Sequence, residues 1–129
     1  MTKIKTAVFL GGVAVKSLFE RELAFDCGKI IGRFNYTLLH GGYNGLMEDV
    51  ARGASMEGAN VIALTLADKK EWGDFNPYVT KAMYARDFGQ RLNNFFSSTD
   101  LVIAMGGGIG TLHEIASAIW YAGNIRSIP

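Results

Sequence analysis

Residues 101–114 read LVIAMGGGIGTLHE. An apolar run of strand length leads into four glycines within five positions, Gly106, Gly107, Gly108 and Gly110, and then into a helical pattern opened by Thr111. Glycine loses more backbone freedom on ordering than any other residue, so such a cluster between two ordered segments needs a local cause. Either the chain adopts unusual dihedrals there, or something approaches its backbone closely.

The same succession recurs upstream. KTAVFLGG and YTLLHGG are strand-like runs that end in glycines, and NVIALTL is a third apolar run. From Ser17 a helix is expected, with Ser17 and Glu20 at capping-box spacing and Leu23, Cys27, Ile30, Ile31 and Phe34 on one face. A second helix is expected over NGLMEDVARGASMEG, its inner face carrying Leu46, Val50, Ala51 and Ala54. ADKKEWGDFNPY reads as a loop, residues 79–96 as a third helix, and the helix opened by Thr111 as a fourth. Strands that are apolar almost throughout belong to a parallel sheet covered on both faces. The expectation is therefore an α/β, Rossmann-like, doubly wound layer forming a single domain over residues 1–129. NIRSIP looks like the start of a fifth strand, so the chain is either a C-terminally truncated fragment or has an edge completed by another subunit.

In such a sheet the loops after the strand carboxyl ends gather on one edge, where ligands bind. Three of these loops carry glycines: Gly11-Gly12, Gly41-Gly42-Tyr43-Asn44-Gly45, and 106–110. Two of them lead directly into helix N-termini, where free N–H groups and the helix dipole favour an anion. The last loop lacks the lysine of a nucleoside-triphosphate P-loop, and Thr111 stands where a dinucleotide fingerprint needs its third glycine. Close approach of an anion remains the favoured reading of these glycines, with tight strand-to-helix turns as the plainer alternative. Thr111 to Glu114 also fits T-x-x-E, a capping box that would give Glu114 a purely structural task. His113 and His40 read as surface or packing residues.

Composition narrows the partners. The 129 residues hold 49 % hydrophobic and 19 % charged side chains, enough for a buried core, with a net charge of +1 and scattered lysines and arginines. No basic stripe points to nucleic acid or to a membrane surface. Cys27 is the single cysteine, which fits a cytoplasmic protein and excludes a cysteine-rich metal site. The N-terminal MTKIKTAVFL reads as a first strand rather than a signal peptide, since no small-x-small cleavage site follows.

GGGIGTLHE, with HGGYNGLMEDVARGA about sixty residues earlier and RLNNFFSSTDLVIAM just before it, resembles the LOG family, formerly labelled lysine decarboxylases. The family hallmark is P-G-G-x-G-T-x-x-E, and the resemblance spans nearly the whole chain. It implies a Rossmann-like homodimer without cofactor or metal that hydrolyses the N-glycosidic bond of a nucleoside 5′-monophosphate to free base and ribose 5-phosphate. It further implies that Gly107, Gly108, Gly110 and Thr111 hold the phosphate, that Gly11, Gly41, Gly42 and Gly45 line the nucleotide, and that Arg91 and Glu114 are catalytic. Three positions depart from the pattern: Gly106 replaces the hallmark proline, Leu92 a lysine and Gly89 a histidine. The triple glycine is similar to the molybdenum-cofactor-carrier-like and DprA-related branch, which implies the alternative of a carrier that binds a nucleotide or phosphorylated pterin without reaction.

Overall fold

The structure, a computed structural model, describes residues 4–12, 17–67, 73–97, 99–106, 109–121 and 125–128. Among them, six strands form one parallel sheet: β1 (Lys5–Gly11), β2 (Tyr36–His40), β3 (Val61–Leu66), β4 (Lys81–Ala85), β5 (Leu101–Met105) and β6 (Ile125–Ile128). Four helices connect them: α1 (Leu18–Arg33), α2 (Leu46–Met56), α3 (Phe88–Phe96) and α4 (Ile109–Tyr121). The strand order is β4-β3-β2-β1-β5-β6, so the winding reverses between β1 and β5. In open α/β sheets ligands bind at that reversal, outside the strand carboxyl ends.

The apolar runs are buried because both sheet faces are covered. Ala7 and Phe9 of β1 pack with Ala24, Ile31, Leu46 and Val50 under α1 and α2. Val8 and Leu10, pointing the other way, pack with Phe95, Phe96 and Ala118 under α3 and α4. Each fully buried Phe, Leu or Val contributes roughly 1.5–3 kcal/mol.

Ser17 caps α1 as its spacing predicts, its Oγ accepting from the Glu20 N–H at 3.2 Å. The apolar face expected for α1 is only partly turned inward. Ile31 is buried and Leu23 and Cys27 are half-buried, but Ile30 is 53 % and Phe34 66 % exposed. The face given to α2 is a glycine stripe instead. A Cβ on Gly28 would run into the Val50 carbonyl oxygen, and one on Gly53 into that of Phe25. Backbone therefore meets backbone where the two helices cross. The expected inner face of α2, Leu46, Val50, Ala51 and Ala54, is buried throughout.

The third helix expected over residues 79–96 is corrected to an edge strand and a shorter helix. Thr80 supplies the cause of the strand: its N–H donates to the Val61 carbonyl at 2.8 Å, and its hydroxyl lies 3.0 Å from the Val61 N–H and 2.9 Å from the Val61 carbonyl. This clamp lays residues 81–85 beside β3. Asp87 then opens α3, accepting from the Gln90 N–H at 2.8 Å while the Gln90 side chain accepts from the Arg86 N–H at 2.7 Å. The Gln90 side chain thus reaches one residue past the Asp87 cap, a variant of the capping box, and D-x-x-Q at 87–90 is its sequence signal. NIRSIP contributes β6, paired with β5 from Val102↔Ile125 to Met105↔Ile128. Finally, α4 begins at Ile109, two residues before the expected Thr111. Thr111 and Glu114 consequently lie inside the helix, and the capping-box task for Glu114 lapses.

Candidate functional site

The carboxyl end of β2 leads into the loop that shapes the site. Gly41 and Gly42 are consecutive and crowded on different sides. A Cβ on Gly41 would lie 2.9 Å from Arg91 Nη2 and 2.8 Å from Met47 Sδ. One on Gly42, which has φ of +96°, would lie 2.7 Å from the Ala63 Cβ and 2.8 Å from the Phe75 ring. The close approach inferred from the glycines is thus made here by protein side chains. Gly45, at φ 74° and ψ −142°, is the side-chain-free cap of α2. The next N–H, of Leu46, donates to the Gly12 carbonyl at 3.2 Å and ties this loop to the end of β1. Gly11 closes β1 against Phe9 and the Leu46 Cβ.

Gly106 follows β5 with φ of +61°, and among the described residues only the Leu46 methyl, 3.8 Å from the position of a Cβ, is nearby. Proline is locked near −65°. The residue that the LOG hallmark places here cannot adopt this backbone, so the chain leaves β5 in a direction that a proline would not allow. Gly107 and Gly108 lie outside the described residues. Gly110 and Thr111 are the second and third residues of α4, with Thr111 buried.

Arg91 sits on the first turns of α3. Its Nε donates to the Leu64 carbonyl at 3.0 Å and its guanidinium lies 5.3 Å from the Phe95 ring centre. These contacts fix the side chain across the end of β3. Arg91 and Glu114, 23 positions apart in sequence, line one cavity of about 120 Å³ with Phe88, Leu92 and His113. Burial pushes the Glu114 carboxyl above the ordinary carboxylate range, while the neighbouring Arg91 guanidinium and, less, the His113 side chain oppose the rise. Burial likewise lowers the Arg91 pKa, against the opposing influence of Glu114 and Tyr43. The result is a half-buried carboxyl beside a guanidinium that stays protonated at any working pH.

His40, expected to be a packing residue, is fully buried at the end of β2. Its Nδ1 accepts from the Gly42 N–H at 2.7 Å, so Nε2 carries the proton of the neutral ring, and desolvation lowers the pKa to about 4. His113 is an exposed residue on the rim of the Arg91 cavity. Asn76, not expected from the sequence to shape the site, is buried within the stretch expected to be a loop. Its backbone N–H and its Nδ2 both donate to the Gly42 carbonyl, at 2.9 and 3.3 Å, and Nδ2 also donates to the Tyr43 carbonyl at 2.9 Å. Only the Asn-Pro turn signal at 76–77 marked it in the sequence. Tyr43, Phe75 and Tyr84 were missed for the same reason: they come from three separate segments and meet only in the fold.

A larger cavity of about 410 Å³ lies between α1 and the amino-terminal parts of β2 and β5, lined by residues such as Cys27, Ile30, Phe34 and Leu101. Its wall is apolar and it opens at the end of the sheet opposite the glycine loops. Burial raises the Cys27 thiol pKa, which leaves the sulfur a weak nucleophile. No group of three or more His, Cys, Asp or Glu suited to a metal occurs among the described residues, and no helix among them is long and apolar enough to cross a membrane.

Sheet order, winding reversal and glycine loops define a Rossmann-like α/β protein with its polar cleft at the strand carboxyl ends. Residues 5–128 match the SLOG cluster4 family, and the chain belongs to it. A protein of Archaeoglobus fulgidus is 33 % identical over 108 residues, covering 83 % of this chain and 69 % of that protein. The crystal structure of the structural-genomics target TM1055 is 27 % identical, with a TM-score of 0.81 over 95 % of this chain and 72 % of its own. The molybdenum cofactor binding protein of Rippkaea orientalis is 25 % identical, with a TM-score of 0.79 over 99 % and 80 % of the two chains. The molybdenum cofactor carrier protein of Chlamydomonas reinhardtii shares the fold at 20 % identity, with a TM-score of 0.80 over 97 % and 76 %. The resemblance to LOG-like proteins and their molybdenum-cofactor-carrier-like branch therefore holds.

Proposed function

We propose that the carboxyl edge of this sheet binds a nucleoside 5′-monophosphate and hydrolyses its N-glycosidic bond to free base and ribose 5-phosphate. The observation that carries this reading is the meeting of Arg91 and Glu114, from different helices, in one cavity. Breaking the C1′–N bond builds positive charge on the ribose and negative charge on the departing base. Glu114, as carboxylate, accepts a proton from water while the water oxygen bonds to C1′. The electron pair of the C1′–N bond leaves with the base, which takes up a proton from solvent, and Glu114 returns the proton it accepted to solvent. Arg91 offsets the negative charge of the phosphate or the departing base. Gly110 and Thr111 in the first turn of α4, together with Gly107 and Gly108 that precede it in the sequence, hold the phosphate, and the loops at Gly11, Gly41, Gly42 and Gly45 shape the nucleotide's path. A homodimer in the cytoplasm fits the family resemblance.

The test is to incubate the protein with AMP, GMP, CMP and UMP and to separate the products. Equal amounts of base and ribose 5-phosphate are expected from at least one of them, and no base from any would overturn hydrolysis. Glu114→Gln is expected to lower the rate about 10²- to 10⁴-fold with its fold intact. Because burial raises the Glu114 pKa, the working carboxylate form is lost as the pH falls through that raised value. The acid limb of the pH–rate profile is thus expected above the ordinary carboxylate pKa, and Glu114→Gln is expected to remove that limb.

A second reading, a carrier that binds a nucleotide or phosphorylated pterin unchanged, is favoured by Gly106. Its φ of +61° excludes the hallmark proline, and two of the similar structures are proteins described as binding or carrying the molybdenum cofactor. Tight binding in calorimetry with no product would select it over hydrolysis.

A further inference from the structure

Beside the Arg91 cleft lies a second cavity, of about 220 Å³, at the carboxyl end of β3. Three aromatic rings stand along it. Tyr43 and Phe75 have ring centres 5.5 Å apart at 36°, and Phe75 and Tyr84 have centres 6.3 Å apart at 52°. Tyr84 is 60 % exposed although it is aromatic. An exposed ring on a cavity wall is a stacking platform for a planar group. The cavity is smaller than the roughly 300–1,000 Å³ that encloses a drug-sized molecule, so it suits one ring system of a larger ligand.

Two adjacent residues of β3 join this cavity to the cleft. The Leu64 carbonyl accepts from Arg91 Nε, and Thr65 Oγ1 shares a 2.7 Å hydrogen bond with the Tyr43 hydroxyl. The two consecutive glycines fit the same division, Gly41 making room for Arg91 and Gly42 for Phe75. Asp74, exposed on the cavity wall, adds a carboxylate beside the rings. Its two oxygens match a ligand edge that presents two neighbouring N–H donors, whereas adenine offers one amino group and no adjacent ring N–H.

We infer that this cavity receives the heterocycle of the ligand, stacked on Tyr84 and Phe75, and that Asp74 selects the 2-amino-4-oxopyrimidine edge shared by guanine and pterins. The inference rests on the reading that the neighbouring cleft binds the phosphorylated part, and it adds the ring specificity that reading lacks.

Calorimetric titration of the full chain with ribose 5-phosphate, AMP, GMP and a pterin monophosphate tests it, together with Asp74→Asn and Tyr84→Ala, whose folding is checked by circular dichroism. GMP or the pterin is expected to bind at least about tenfold more tightly than AMP, and whichever binds more tightly identifies the source of the ring. Asp74→Asn is expected to bring the preference over AMP close to unity, and Tyr84→Ala to weaken the ring-bearing ligands about tenfold while leaving ribose 5-phosphate unchanged. Binding of ribose 5-phosphate with all three ring-bearing ligands equal, and both variants without effect, would overturn the ring pocket alone. Failure of every probe to bind would overturn the phosphate site as well.

Discussion

Two pairs of glycines, Gly28 with Gly53 and Gly41 with Gly42, both lack room for a Cβ and differ in what crowds them. At the α1–α2 crossing the space a Cβ would need is taken by main-chain carbonyls, Val50 against Gly28 and Phe25 against Gly53. After β2 it is taken by side chains, Arg91 and Met47 against Gly41 and Phe75 against Gly42, where the Ala63 Cβ also closes in. Main chain inside a helix cannot yield without moving the helix, whereas a guanidinium or a thioether can swing. The first pair therefore fixes the scaffold. The second positions Arg91 and Phe75, side chains that line the two cavities at the carboxyl edge.

That contrast can be broken by single substitutions. The largest effect is expected from Gly28→Val, where the added atoms meet the α2 backbone. It should destabilise the fold by about 3 kcal/mol or more in denaturant unfolding, the upper range for overpacking. A loss below about 1 kcal/mol would show that the helices slide apart easily and that the two pairs do not differ. Gly41→Ala should cost less stability, on the order of 1 kcal/mol, because Arg91 and Met47 yield at their flexible ends. Its effect should fall on ligand binding or turnover, at least about tenfold, through the displaced guanidinium. Unchanged function with Arg91 moved would detach the guanidinium from the site.

Gly106 supplies a third case, in which backbone angle alone matters. Among the described residues a Cβ there meets only Leu46, at ordinary contact distance, but φ is +61°. Gly106→Ala should therefore cost only about 1–2 kcal/mol, the left-handed penalty without a clash. A loss as large as that of Gly28→Val would mean the turn is more crowded than the described atoms show.

These cases also mark what the sequence could reveal. Strand, glycine turn and helix were legible at 101–114 and again at the ends of β1 and β2, because apolar runs and glycines are local signals. The α1–α2 crossing was not, since Gly28 and Gly53 stand in helical segments where nothing local separates a packing glycine from a neutral one. The helix expected over 79–96 failed because Thr80 is recruited by Val61, a partner nineteen positions away. D-x-x-Q at 87–90, not weighed in the expectation of a helix from 79, is the local signal of the helix start the structure shows. Arg91 and Glu114 could be paired only through the family pattern, for no spacing rule links residues on α3 and α4. The aromatic wall of Tyr43, Phe75 and Tyr84 was hidden in the same way, each ring looking in isolation like a loop or helix residue.

The most direct measurement of the central claim is a crystal structure with bound GMP. The phosphate is expected against the N-terminal turn of α4, the ribose between Arg91 and Glu114, and the base toward Tyr84. A nucleotide seated instead in the apolar cavity beside Cys27 and Phe34, with the Arg91–Glu114 cleft left free of ligand, would contradict the account.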